Sequence, residues 1–108
     1  MRVERWDSAK DGPLSESALR KKLEHLGFSV TRYVYPPGTE FPPHTHDRDK
    51  MDAVVSGQFQ ISMGKERVVL GPGDALHVPV GVAHSAEVVG GSAVVSLDGV
   101  KSRFPLGI

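Results

Sequence analysis

From Phe28 onward, glycine and proline cut this chain into short segments rich in valine, isoleucine, tyrosine and phenylalanine. That punctuation suits strands and tight turns, not long helices. Strands are expected near 2–6, 28–35, 40–47, 50–56, 58–63, 66–70, 74–79, 83–89 and 92–98. Phe59, Ile61 and Met63 alternate with Gln58, Gln60 and Ser62, the period-two pattern of a strand with one buried face. Met63-Gly64-Lys65-Glu66 and Val89-Gly90-Gly91-Ser92 read as hairpin turns. So many short strands in 108 residues imply an all-β fold, a small β-barrel or double-sheet jelly roll.

One short N-terminal helix lies between the strand near 2–6 and the strands that begin at Phe28. Across residues 15–27, a serine can cap the start, Glu16 suits the positive end of the dipole, Leu19, Leu23 and Leu26 make an apolar stripe, and Gly27 ends the run. The whole chain, 1–108, is expected to be a single domain, with strand and helix of 1–27 packed on the outside of a barrel formed by 28–99. Val94-Val95-Ser96-Leu97 is apolar on both faces, which predicts a central strand covered by a partner sheet.

Composition excludes several function classes. Thirteen basic residues balance thirteen acidic ones, leaving no field that would draw nucleic acid or an anionic membrane. Without cysteine, disulfides, thiolate nucleophiles, zinc fingers and iron–sulfur clusters are all ruled out, so any metal must be held by nitrogen or oxygen. The charged start, Met1 to Asp7, lacks the apolar run of a secretory signal, and no stretch approaches the roughly 18 apolar residues of a membrane span. A cytoplasmic address is expected.

Chemistry is concentrated in two segments. Residues 38–46 end in His44-Thr45-His46, and an i, i+2 spacing on an extended segment turns both imidazoles to one face. Residues 73–84 place His84 behind a Pro79-Val80-Gly81 turn. Brought together in a barrel, the two segments would make a three-nitrogen pocket.

These residues resemble the two motifs of the cupin superfamily. Gly38, His44, His46 and Gly57 fall in register with the first motif, and Gly73, Pro79, Gly81 and His84 with the second. The resemblance covers about 38 to 88 closely, and strand rhythm extends it over most of the remainder. Two positions depart from the pattern: Val88 stands where the second motif has asparagine, and Lys50 where the first has its metal-binding glutamate, with Met51 in that slot on a longer spacing. The resemblance therefore implies a three-histidine site for one divalent transition metal, lacking the customary carboxylate. Three imidazoles with open positions suffice for catalysis. Cysteine dioxygenase and acetylacetone dioxygenase are the family's examples of three-histidine iron sites. Imidazole suits zinc, copper, iron and nickel, and the sequence does not distinguish iron, zinc, nickel, manganese or copper. A small cupin of this type also implies a homodimer and a small-molecule ligand.

Parity puts Lys50 on the inward face with His44 and His46. Either Asp52 or Glu40 neutralises it, or it awaits an anionic ligand that also chelates the metal. The site expected from sequence thus has His44, His46 and His84 on the metal, and Lys50, Asp52 and His77 as candidates for substrate contact. His77 has a second possible role as a substitute fourth ligand. His25 is expected on the solvated surface, and Tyr33 and Tyr35 in barrel packing or a dimer contact. Three functions follow: a dioxygenase-like oxidoreductase acting on a small chelating or anionic molecule, a non-catalytic binding module, or a metal-free isomerase.

Overall fold

The computed structural model describes residues 1–102; residues 103–108 of the expected domain lie outside them. The elements in chain order are β1 (Arg2–Glu4), α1 (Ser8–Asp11), α2 (Glu16–His25), β2 (Phe28–Tyr35), β3 (Glu40–His44), β4 (Lys50–Ser56), β5 (Gln58–Met63), β6 (Glu66–Leu70), β7 (Ala75–Val78), β8 (His84–Val89) and β9 (Val94–Lys101). They form an antiparallel five-stranded sheet in the order β1-β7-β4-β9-β2 and a four-stranded sheet in the order β3-β8-β5-β6. The all-β sandwich expected from the punctuation is the fold observed.

Two apolar layers hold it. Between the sheets, Val54, Phe59, Ile61, Leu70, Leu76, Val78, Val88 and Val94 interlock as one buried cluster. On the outer side of the larger sheet, Leu19 and Leu23 of α2 cover Phe28, Met51, Ala53, Ala75 and Leu97. Strands β4 and β9 are therefore buried on both faces. The expected double cover of 94–97 is correct, but the outer layer is this chain's own helix, not a partner sheet.

Helix α2 begins as expected, with Ser15 Oγ accepting from Ala18 N at 3.0 Å. Its stripe is narrower than the sequence suggests: Leu19 and Leu23 are buried, while Leu26 is 42% exposed at the helix end. The four-residue α1, which the sequence reading lacked, starts where Asp7 Oδ1 accepts from Ala9 N at 3.0 Å. It carries no buried residue, so no apolar periodicity announced it.

Two local devices shape the sandwich, one at each end of the cavity. Gly57 alone links β4 to β5 as the chain crosses between sheets; its φ is +86°, and a Cβ there would lie 2.3 Å from the Ala93 carbonyl oxygen. Only glycine fits. In β3 the register against β8 slips between Phe41 and His44, so Phe41 faces Ala86 and His44 faces His84. This bulge lets two residues three apart share the inner face, where a regular strand would set them on opposite sides. Pro42 and Pro43 occupy it, tolerated because β3 is an edge strand.

The two apolar layers predict a contrast on α2. Leu23→Ala should cost about 2–5 kcal/mol of stability through transfer and cavity terms, whereas Leu26→Ala should cost about 0.5 kcal/mol or less. Urea midpoints of the two variants at unchanged slope would check it.

Candidate metal centre

The bulge in β3 and the start of β8 bring two of the histidines together. His44 and His84 are direct register partners, with ring centroids 4.3 Å apart. His46 lies just past the end of β3, and its ring centroid is 4.8 Å from that of His44 and 5.1 Å from that of His84. One potential ligand nitrogen from each of the three lies within 4.8 Å of the others.

Hydrogen bonding orients these nitrogens. His44 Nδ1 is 2.7 Å from the Pro42 carbonyl and His84 Nδ1 is 3.0 Å from the Val82 carbonyl. A carbonyl only accepts, so each Nδ1 carries its proton and each Nε2 is left with a lone pair. Backbone carbonyls commonly fix metal-ligating imidazoles in this way. Among the described residues, His46 Nε2 is buried with no hydrogen-bond partner, an uncompensated polar atom of the kind that native structures rarely leave. A divalent cation would satisfy it, so the residues present fit a metal ion.

Electrostatics favour the same state. Burial first, then the Lys50 charge and the neighbouring imidazoles, hold His46 below its ordinary pKa against an opposing pull from Asp98. His84 is also lowered, chiefly by burial, although its bond to Val82 works the other way. Neutral imidazole is the metal-binding form.

The histidines form one wall of a cavity of about 370 Å³ between the sheets. Aromatic rings line it: Tyr35 meets Phe41 edge-on at 4.9 Å and Phe59 at 5.7 Å, and stacks on Tyr33 at 5.9 Å. The opposite wall, on the five-stranded sheet, carries Lys50 and Asp52 from β4 and Ser96 and Asp98 from β9. Along both strands the inner face changes character. Val54 and Val94 close the apolar end, while Lys50, Asp52 and Asp98 open the polar one.

Lys50 thus lines the cavity and is also paired. Its Nζ lies 3.4 Å from Asp52 Oδ1 and 2.5 Å from Asp98 Oδ1. Burial works to lower the lysine, but the two carboxylates outweigh it and hold its pKa above the ordinary value. Of the two partners considered from sequence, Asp52 is one; Glu40 is not, since it is exposed and faces Glu87 across the β3–β8 ladder.

The structure does not bring His77 to this cavity. On β7, Leu76 and Val78 point into the core between the sheets, so His77 by alternation points outward, 3.5 Å from Asp49 in a separate hollow beside Phe28 and Met51. The expected substrate contact by His77 is corrected on that ground. His25 is exposed, as expected. Tyr35, expected in packing or a dimer contact, proves to be part of the cavity wall. Asp98 was missed altogether. Its signal was a lone charge two residues after Ser96 in an otherwise apolar strand.

With this geometry established, likeness to known proteins is informative. The chain belongs to the cupin family: the family model described as Cupin domain matches residues 31–100. It is 34% identical over 92 residues to germin-like protein subfamily 1 member 7 of Arabidopsis thaliana, covering 77% of this chain and 40% of that protein. The chain therefore spans less than half the length of that plant relative. An uncharacterized Streptomyces coelicolor protein is 33% identical over 70 residues, covering 65% of this chain and 67% of the relative. Among solved structures, KdgF from a Halomonas species superposes with a TM-score of 0.61 at 27% identity over 71% of each chain. The DMSP lyase DddQ of Ruegeria pomeroyi superposes with a TM-score of 0.64 over 76% of this chain and 41% of its own, at 22% identity, a likeness of fold alone. Among the described residues, no helix is long and apolar enough to cross a membrane.

Because the depressed imidazoles stay neutral as pH falls, protons compete for the ligand nitrogens only at acid pH. Bound zinc should be retained down through about pH 6.5, the ordinary histidine value, and released below it. Transfer to a chromophoric chelator across a pH series measures the midpoint.

Proposed function

We propose that this chain is a metal-dependent cupin enzyme, with His44, His46 and His84 holding one divalent transition metal and a small chelating anion completing its coordination. The observation that carries this reading is the unpartnered, buried Nε2 of His46, set beside two imidazoles whose Nδ1 atoms are already committed to backbone carbonyls. Three protein ligands leave coordination positions open, as in catalytic rather than structural sites. When bound, the ion supplies Lewis acidity and, if it is iron, access to oxygen chemistry of the dioxygenase type.

The chain's own groups account for binding and orientation. Three neutral imidazoles leave the charge of a divalent ion uncompensated, which favours an anionic chelate. The cavity of about 370 Å³ lies at the small end of the roughly 300–1,000 Å³ usual for ligand sites, so it suits a small molecule. Tyr35, Phe41 and Phe59 form an apolar wall that keeps water from one side of such a ligand. Burial first, then Asp98 and Asp52, raise the Tyr35 phenol to about 12. It therefore remains protonated and can donate a hydrogen bond to ligand oxygen. The ammonium of Lys50 is held by its two carboxylates, so anion attraction falls to the metal in place of the lysine.

The free edge of the larger sheet supports the expected homodimer. Strand β2 ends the sheet order, and Tyr33 and Val34 on it are 43% and 52% exposed. A second copy pairing along β2 would satisfy that edge. Sedimentation at micromolar concentration should give twice the monomer mass, reduced to the monomer by Val34→Pro.

Protein purified without a histidine tag and loaded with iron or zinc should carry one metal per chain, and His46→Ala should lose it. Sub-stoichiometric metal that is unchanged in the variant overturns the metal site. Oxygen uptake by the iron form against diketones, catechols and thiols then decides the chemistry. Full metal content without uptake on any of them favours a binding module or a reaction that uses no oxygen.

A further inference from the structure

Across the cavity from the histidines stands a group that metal binding leaves unused. Asp52 of β4 and Asp98 of β9 are register partners on adjacent strands, both turned into the cavity. Both reach one ammonium, Lys50 Nζ, at 3.4 and 2.5 Å. Their side chains are only 13% and 19% exposed. One cation cannot neutralise two carboxylates in so sheltered a place, and like charges opposed on neighbouring strands repel. The least costly remedy is a proton held by the pair.

The surroundings favour that remedy. Burial is the largest influence and raises Asp52 to about 7, with Asp98 adding to the rise and Lys50 opposing it. The other ionisable groups lining the cavity with the pair are Tyr33 and Tyr35 from β2, of which the Tyr35 phenol stays protonated, and the histidines across from them, of which His46 and His84 are held toward the neutral form. Inward residues of β7, Leu76 and Val78, are apolar and add no charge. The unpartnered His46 Nε2 is an independent mark that a ligand belongs in this same cavity.

We propose that the Asp52–Asp98 pair is the proton-transfer group of this site, and that its substrate is a small chelating carbon acid, a carbonyl compound with an acidic C–H beside the group that binds the histidine centre. This rests on the metal-site reading above and adds what the opposite wall does. A carbon acid bound between the walls gives its proton to the Asp52 carboxylate. The C–H bond breaks, an O–H bond forms on Asp52, and the electron pair remains on the substrate as an enolate whose oxygen faces the histidines. Returning the proton to the same or a neighbouring carbon completes exchange or isomerisation, with no oxidant required. Lys50 is a positioning residue: it holds both carboxylates in place. A base poised near neutral pH suits this task.

Two measurements test the proposal. The first is a carbon-13 titration of the aspartate carboxyls in the metal-free protein. One carboxyl should titrate near pH 7 and return toward the acid range in Asp98→Asn. Two carboxyls titrating together near the ordinary value of about 4 overturn the proposal.

The second uses zinc-loaded protein and pyruvate as probe in deuterium oxide, with loss of the methyl proton signal as the readout. The native chain should exchange the methyl protons, Asp52→Asn should lose roughly 10²- to 10⁴-fold in rate, and zinc content should stay at one per chain. Full zinc with no exchange by the native chain, or equal exchange by the variant, overturns the proton-transfer role and leaves the metal site standing. Absence of zinc from the native chain identifies failure of the metal reading instead. If Asp52→Asn does not fold, the titration of the native chain decides alone.

Discussion

The pairing of β4 with β9 is the contact on which the rest of the molecule depends. These strands lie side by side within the larger sheet, and each is buried on both faces. Outward residues such as Ala53 and Leu97 anchor α2, and inward residues such as Val54 and Val94 close the core between the sheets. A strand so enclosed ought to be apolar throughout, since polar groups taken from water without partners are costly. Both strands break that rule at the same end, with Lys50 and Asp52 on one and Asp98 on the other. Because the exceptions face each other, one ammonium reaches both carboxylates, which offsets part of the cost of placing them there.

The resulting cavity has two chemically distinct walls. The four-stranded sheet and the segment that follows β3 contribute neutral nitrogen donors. The five-stranded sheet contributes a compact set of charges held by mutual contact. Separation matters because a lysine among the ligands would repel a divalent ion. Placed across the cavity and tied to two carboxylates, it stands apart from the ligand nitrogens, although its charge still helps to hold His46 and His84 toward the neutral form. The position that the motif usually gives to a ligand glutamate has therefore been moved into a different kind of interaction altogether.

Much of this was legible in the sequence because it is local. Glycine and proline punctuation gave the strands, alternation in β5 gave a buried face, and motif spacing gave three histidines at the centre. What stayed hidden depends on parity or on pairing between distant segments. His77 is next to inward residues, and only the alternation of β7 sends it outside. Asp98 is 46 positions from Asp52, so their opposition appears only once the β4–β9 register is known. The helix that covers β9 sits near the N-terminus, which is why an apolar strand suggested a partner sheet before a partner helix. The turn at Ser8–Asp11 buries nothing and so left no trace in the hydrophobic pattern.

The irregularity at Pro42 and Pro43 bears on how such a site can change through descent. A loop may gain or lose a residue and merely alter its reach. Here one extra residue sets which way every side chain on one flank of the slip points, so Phe41 and His44 share the cavity only while the count between them is kept. Deleting either proline would leave the composition of the segment nearly intact yet rotate Phe41 out of the aromatic wall or His44 away from its partners. Point substitutions can revise the cavity gradually, but length variation in this strand offers no gradual path.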